Sequence, residues 1–364
     1  MKKLFLLFII LFALISPCSA VESNEKPVLP SEVGQIESVE TINNFPEAKT
    51  DGMQNIKQSV EVKILTGDHK GEKVFVENVM MGNPAYDINL RKNDKVILHV
   101  EEENGSINFF IADKQRVNVL YALTGMFFAL LLVIGGKKGL RSLISILVTL
   151  GLIFGGLTPL VLSGVNPILA TVLICVFASV IAIYLVGGIN SKSSAAILGT
   201  VLSLVIAGIL SILCVKFASL TGFSSEESMF LFTAHPNLNF VGILTSAMLI
   251  GALGAVMDIG MSISSTINEI FLSKTEMSVH ELFTSGMNVG KDIIGTMANT
   301  LILAYLGSAL FLVLLSNNID LQKFFNLNQV ATEISSALVG SIAIVLCVPI
   351  TAIISAYLIR RGKK

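Results

Sequence analysis

Asp258 stands in the middle of an apolar run, Gly251-Ala252-Leu253-Gly254-Ala255-Val256-Met257-Asp258-Ile259-Gly260-Met261-Ser262. A carboxylic acid at membrane depth costs about 2.5 to 3.5 kcal/mol on insertion scales, so it is expected to face the interior of a helix bundle or a wet cavity. The chemistry open to it there is a change of protonation. Helical spacing places Gly251, Gly254, Ser262, Ser265 and Glu269 on the same face, a small-and-polar stripe. The next apolar run carries Asp292, Thr296, Asn299 and Leu303 on one face, with Thr300 beside them and Lys291 at its start. Two readings follow. In one, the stripes line an ion, proton or solute pathway, with Asp258 titrating, Asn299 as its neutral partner and Lys291 with Asp292 as a cytoplasmic gate. In the other, Asp258 bonds Asn299 or Thr300 and ties two helices together. Both predict that the two helices meet through these faces while Ile259 turns towards lipid.

Other chemistries find no residues to work with. The four cysteines (Cys18, Cys175, Cys214, Cys347) are scattered through apolar segments, which provides neither a disulfide framework nor a thiolate metal set. His69 and His99 have no carboxylate or cysteine at ligand spacing and are expected to be solvated. His280-Glu281 lacks the second histidine of a zinc protease, because Thr284 stands in its place. There is no Gly-x-Ser-x-Gly elbow and no phosphate-binding loop. No cofactor, no metal and no enzymatic activity are expected.

The elements that hold these residues follow from composition. Of 364 residues 53% are hydrophobic and 14% are charged, against about 25% charged in an ordinary soluble domain. The first 117 residues hold 13 basic and 17 acidic side chains, leaving 12 basic and 9 acidic for the rest. Two solvents are implied, water first and lipid afterwards, and the net charge of −1 offers nothing to nucleic acid. Residues 1–20 have the basic start, short apolar run and small-residue end of a signal peptide. Residues 21–58 are polar and acidic, which reads as a flexible linker. Alternation at Val60-Val62-Ile64, Val74-Val76 and Val96-Leu98-Val100 predicts half-buried strands. Together with turn signals at Thr66-Gly67-Asp68 and Asn104-Gly105, it gives a small extracytoplasmic β-barrel-like domain over 59–115.

Seven apolar segments follow in the region 118–359: 118–134, 140–162, 167–186, 194–217, 240–267, 293–316 and 335–359. Each is near the ~20 residues that span a bilayer, and helices alone satisfy their own backbone there. The fold class is therefore an all-α polytopic membrane protein of seven transmembrane helices, preceded by signal, linker and β-domain. With that domain exported, Lys137, Lys138, Arg141, Lys192, Lys274, Lys291 and the basic tail 360–364 lie inside, against Lys216 and Lys323 outside, as the positive-inside rule requires. Gly251 with Gly254, and Gly286 with Gly290, are placed for close helix approach. Pro349 is expected to kink the last helix. The capping box Ser278-Val279-His280-Glu281 predicts a short surface helix ending near Gly286. A shift of 52 residues lays Gly135-Gly136 on Gly187-Gly188, a weak sign of a repeated hairpin.

The stretch Gly251 to Ser265, followed by Ser285-Gly286-Met287-Asn288-Val289-Gly290-Lys291-Asp292-Ile293-Ile294-Gly295-Thr296-Met297-Ala298-Asn299-Thr300-Leu301-Ile302-Leu303-Ala304-Tyr305, closely resembles the YibE/F family of bacterial multi-pass membrane proteins. The turn Gly135-Gly136-Lys137-Lys138-Gly139-Leu140 fits the same family. The resemblance implies a bacterial plasma membrane and brings no established substrate or reaction. From the residues, the leading expectation is a permease moving a small solute or ion, proton-coupled at Asp258. The alternatives are a non-transporting scaffold or assembly factor whose β-domain binds a partner, and the membrane subunit of a complex with a separate ATPase. Besides the lipid bilayer, a second copy of the chain or another membrane protein is the partner left open.

Overall fold

A computed structural model describes residues 31–43, 56–83, 86–103 and 106–361. The expected signal segment, the Asn104-Gly105 turn and the last three residues of the basic tail lie outside the described residues. The chain divides into two compact units, one ending at Leu130 and holding the strands, the other holding the helices from Leu131 onward.

Five antiparallel strands make the first unit: β1 (Ser31–Asn43), β2 (Ile56–Ile64), β3 (Lys73–Met80), β4 (Lys95–Glu103) and β5 (Ser106–Lys114), in the order β3-β2-β1-β4-β5. The outer strands β3 and β5 come near each other, so the sheet is nearly closed. Ile36, Val60, Val62, Ile64, Val76, Leu90, Val96 and Leu98 fill its core. The central strand, β1, lies inside the segment expected to be a linker. Its inward positions are Glu32, Gly34 and Ile36, all buried. A charge and a glycine at two of three inward positions erase the apolar alternation that marks a strand. Pairing on both sides, with β2 from Gly34 to Asn43 and with β4 from Ser31 to Gln35, holds the strand in place. Gly34 is required for space, since a Cβ there would come within 2.3 Å of Val62 Cγ1.

The second unit is helical, and the first helix straddles the boundary at Leu130. Helix α1 (Val117–Leu152) is broken at Gly136 (φ 52°, ψ −130°). A Cβ at Gly139 would lie 2.0 Å from the Leu131 carbonyl oxygen, so the chain turns back on itself there. One π-helical turn, Ile153–Leu157, leads into α2 (Thr158–Leu162). Then come α3 (Pro167–Gly187), α4 (Ser191–Phe217), α5 (Glu226–Ala234), α6 (Phe240–Ser273), α7 (Val279–Ser308), α8 (Leu310–Leu315), α9 (Leu321–Phe325) and α10 (Asn328–Arg361). Asparagine starts three of these helices: Asn166, Asn190 and Asn239 accept backbone N–H bonds from Ile168, Ser193 and Gly242 at 2.8 to 3.0 Å, which satisfies orphan donors of the first turn. Gly136 and Gly188, the second members of the two glycine pairs, both have positive φ where a helix breaks or ends.

Helices α4, α6 and α10 pack on one another as a central trio, with α3 against α4 and α6 and α7 against α6 and α10. Small residues let the backbones approach. Cβ atoms at Gly286 and Gly290 would lie 2.6 Å from Ile267 Cδ1 and 2.2 Å from Val348 Cγ1, and one at Gly199 would meet Thr351. Polar bonds cross the same seams: the Ser264 hydroxyl donates to the Lys192 carbonyl (2.6 Å) and the Cys347 thiol to the Val256 carbonyl (3.5 Å).

The capped helix differs from its expected end. Its box forms, with the Ser278 hydroxyl accepting the Glu281 N–H (3.2 Å) and the Glu281 carboxylate accepting the Ser278 N–H (2.7 Å). The helix then runs through Gly286 to Ser308, because a helical glycine costs only about 1 kcal/mol and here allows close packing. After Ser308 the axis bends by 68° into 310–318. The last helix begins at Asn328, seven residues before the expected start of its span, and carries Pro349 within it.

Five helical stretches among the described residues are long and apolar enough to cross a membrane, or six if the bent pair is taken as one. The first of them, Val117–Leu162, has 46 residues. That is about 69 Å of helix, more than twice a ~30 Å hydrocarbon slab, and both expected spans 118–134 and 140–162 fall within it.

Candidate functional site

Asp258 is the nineteenth of the 34 residues of α6, so its depth in the helix is as expected. Its direction is not. The buried face of α6 is apolar, with Leu249, Leu253, Val256, Ile259, Ile263 and Ile267 all 4% exposed or less. Ile259, expected to face lipid, is thus part of the core. Asp258 is exposed, as are Gly251, Gly254, Ser262 and Glu269, while Ser265 is half-buried. The stripe exists as spaced, but it lies on the surface of the single chain, because the opposite face, with Gly260 against Ala196 and Thr200 and Ile263 and Ile267 against Gly290 and Gly286, packs more closely on its neighbours.

The neighbours of this strip are defined by two close approaches. On one side Met261 fills the space over Gly187 of α3; on the other, the Tyr305 hydroxyl of α7 lies 2.3 Å from where a Cβ of Gly251 would be. Between them Gly254 has nothing among the described residues within 4 Å of a Cβ position, which leaves open space one turn from Asp258. Gly290 beside Ile263 and Tyr305 beside Gly251 fix α6 and α7 as antiparallel, and this register brings Asp258 level with 295–298. Gly295 is also open on its Cβ side.

The expected partnership with Asn299 does not form. Met297 and Leu301 pack against the core, and Asn299, two residues from each, is turned about 200° away from both. Among the described residues Asp258 has no hydrogen bond or ion pair. Thr300 and Thr296 instead donate to carbonyls of their own helix, Thr296 (2.9 Å) and Ile293 (3.0 Å). Helices α6 and α7 do meet, through Ile263, Ile267, Gly286 and Gly290 and, at one end of the strip, through Gly251 and Tyr305, but not through Asp258 and Asn299. Lys291 and Asp292 are adjacent and exposed at the level of that contact, without an ion pair between them among the described residues.

Tyr305, the last residue of the family-like stretch, and Glu333 carry no spacing signal, and both matter to the geometry. Tyr305 closes one end of the strip, and Glu333 lies in the second turn of α10, with both lining one cavity. Glu333 precedes the expected start of the last span, so apolar length alone does not mark it.

In the sheet unit, His69 is not a free surface residue. Its Nδ1 lies 3.0 Å from Glu32 Oε1, and its backbone N–H donates to the same oxygen at 3.2 Å. Gly67 (φ 88°) lets the turn close over this carboxylate, since a Cβ there would lie 2.3 Å from Glu32 Oε1. The hydrogen bond to Glu32 raises the His69 pKa above its ordinary value, against a smaller opposing effect of burial. Among the described residues no three His, Cys, Asp or Glu side chains converge as metal ligands.

A family model described as YibE/F-like protein matches residues 123–361, and one described as YibE/F family N-terminal domain matches residues 29–114. The second match begins just before β1 and ends with β5. No curated protein and no solved structure matches the chain.

Proposed function

The chain belongs to the YibE/F family, and we propose that it is a transport-type protein of the bacterial plasma membrane, moving a small solute or ion with Asp258 as a proton-coupled group. The observation that carries this reading is the state of Asp258: a carboxylate halfway along a membrane-length helix, exposed on a strip of glycine and serine, without a bonded partner among the described residues. An interhelical tie would require a bond to Asn299 or Thr300, and among the described residues there is none, which favours the pathway reading. An intramembrane acid on an open strip needs water, a solute or a covering partner. Ser262 and Glu269 continue the strip towards the cytoplasmic end, where Lys291 and Asp292 stand as gate residues.

The topology that goes with this reading has seven spans. It places the β-domain outside and the C-terminus inside, and divides α1 into two crossings at Gly136. The ten-to-two cation count supports it. The signal peptide belongs to the same proposal. Reporter fusions after Lys114 and at Lys364 should report opposite sides, and fusions on one side would end it.

The transport reading is tested with sealed proteoliposomes carrying the full chain, scored for proton-dependent uptake from a metabolite mixture. Asp258→Asn, which keeps size and hydrogen bonding, should insert normally and abolish uptake. Uptake unaffected by the substitution would refute the role of Asp258. Absence of uptake for every solute would favour the scaffold reading, which has its own support in the edge strand β3, where Phe75 is 76% exposed and Val79 45%.

A further inference from the structure

Where α7 ends and the axis bends, a cavity of about 430 Å³ opens between α7, α8, α9 and α10. Leu306, Leu312, Phe324 and Ile334 are typical of its lining, and among the described residues only three lining side chains carry oxygen. Ser316 is one, and its hydroxyl is spent on the Val313 carbonyl (2.6 Å) of its own chain segment. Tyr305 is the second. The third is Glu333, half-buried, with no hydrogen bond or ion pair among the described residues. Among the described residues no lysine or arginine lines the cavity.

A cavity of this size falls in the lower part of the ~300 to 1,000 Å³ range of small-molecule sites, and apolar walls with a few placed polar groups are their usual make-up. The walls call for a hydrocarbon body. A single unpartnered carboxylate calls for a cationic head that donates hydrogen bonds, because a bonded charge pair discriminates far more strongly than apolar contact does. We infer that this cavity binds a single-chain amphiphile with an ammonium head, the ammonium on Glu333 with Tyr305 beside it and the chain among Leu306, Leu312 and Phe324. Asp258 is not in the lining; Tyr305, which also closes one end of the Asp258 strip, is the residue the two places share, and the binding measured below needs no transport.

The test measures binding rather than transport. Full-length protein in phosphatidylcholine nanodiscs is titrated with radiolabelled dodecylammonium, dodecanoate and dodecanol, with empty nanodiscs as background. Dodecylammonium should bind saturably, one per chain, and about tenfold or more tighter than dodecanoate, as expected for gain or loss of one charge-assisted hydrogen bond. Glu333→Gln should weaken dodecylammonium by a similar factor and leave dodecanol unchanged, while Glu226→Gln changes neither. Ala337→Phe, which fills the cavity, should weaken all three. A diazirine-bearing alkylamine should label peptides of α8 and α10, which keeps the inference testable if a variant fails to fold. Equal affinity for the three amphiphiles, an unchanged affinity in Glu333→Gln, or label placed elsewhere would overturn it. Competition by added phosphatidylethanolamine would assign the ammonium to a two-chain bilayer lipid and overturn the single-chain ligand.

Discussion

Two glycines five residues apart on α7 should respond to alanine in opposite directions. At Gly290 a Cβ would lie 2.2 Å from Val348 Cγ1 and 3.2 Å from Ile263 Cδ1, whereas at Gly295 nothing lies within 4 Å. Carbon atoms pack at about 3.5 to 4.0 Å, so Gly290→Ala must move Val348 by more than 1 Å or separate α7 from α10. Val348 cannot simply rotate, because a helical valine has one strongly preferred χ1. Overpacking of this kind costs about 1 to 3 kcal/mol, while replacing a helical glycine by alanine returns about 1 kcal/mol. Gly290→Ala should therefore destabilise by up to about 2 kcal/mol, and Gly295→Ala should stabilise by up to about 1 kcal/mol. Thermal unfolding of the purified chain in a mild detergent, followed by size-exclusion recovery, ranks the variants against the parent. The Gly290→Ala, Val348→Ala double variant supplies the cycle: removing the clashing methyl should recover part of the loss, a coupling of about 1 kcal/mol, since the two positions touch. Equal shifts at both glycines, or strictly additive effects in the cycle, would refute the α7–α10 packing.

Three further outcomes are expected. A soluble segment 31–114 should fold with a β-type circular dichroism spectrum, whereas 59–114 should not, because it lacks the strand that pairs with both β2 and β4. In that same segment His69 has a raised folded pKa, so its pairing with Glu32 contributes stability that is fully present below the unfolded histidine value near 6.5 and is lost as pH rises through the folded value. Urea midpoints measured from pH 5 to 9 should fall across that window in the parent and stay flatter in His69→Gln; a fall of equal size in both would exclude the pair as the cause. Ser278→Ala should cost α7 about 1 kcal/mol through loss of its cap, read as a lower thermal midpoint, and an unchanged midpoint would count against it.

How much of this architecture was legible depended on whether each element's signal is carried by one segment or by its neighbours. Strands β2 and β4 alternate within themselves, and apolar length alone marks α3, α4 and α6. The central strand β1 is different: Glu32 is buried because Gly67 and His69 of a distant turn close over it, and Gly34 is inward because Val62 needs the room. Neither fact is local. Because β1 carries no local signal, His69 reads as unpartnered in sequence, its carboxylate lying in a segment that reads as a linker. The end of α7 was misplaced for a related reason, as Gly286 reads as a stop until Ile267 and Ala352 are known to pack against it.

The same distinction separates the depth of Asp258 from its direction. Depth follows from counting residues along an apolar run, so the position halfway along α6 was readable. Direction requires knowing which of two faces wins the core. Periodicity shows a small-and-polar stripe equally well whether it points at a neighbour or away from it. What decides is the opposite face, where Leu249, Leu253, Val256, Ile259, Ile263 and Ile267 recur at helical spacing and bury almost completely. Each such side chain gains about 1.5 to 3 kcal/mol when removed from water, but lipid tails are as apolar as leucine and offer no comparable drive between helices. In a bilayer the contest is settled by close packing at Gly260, Gly286 and Gly290 instead. It is those glycines, and not the carboxylate, that orient α6 and leave Asp258 on the open strip beside Gly254.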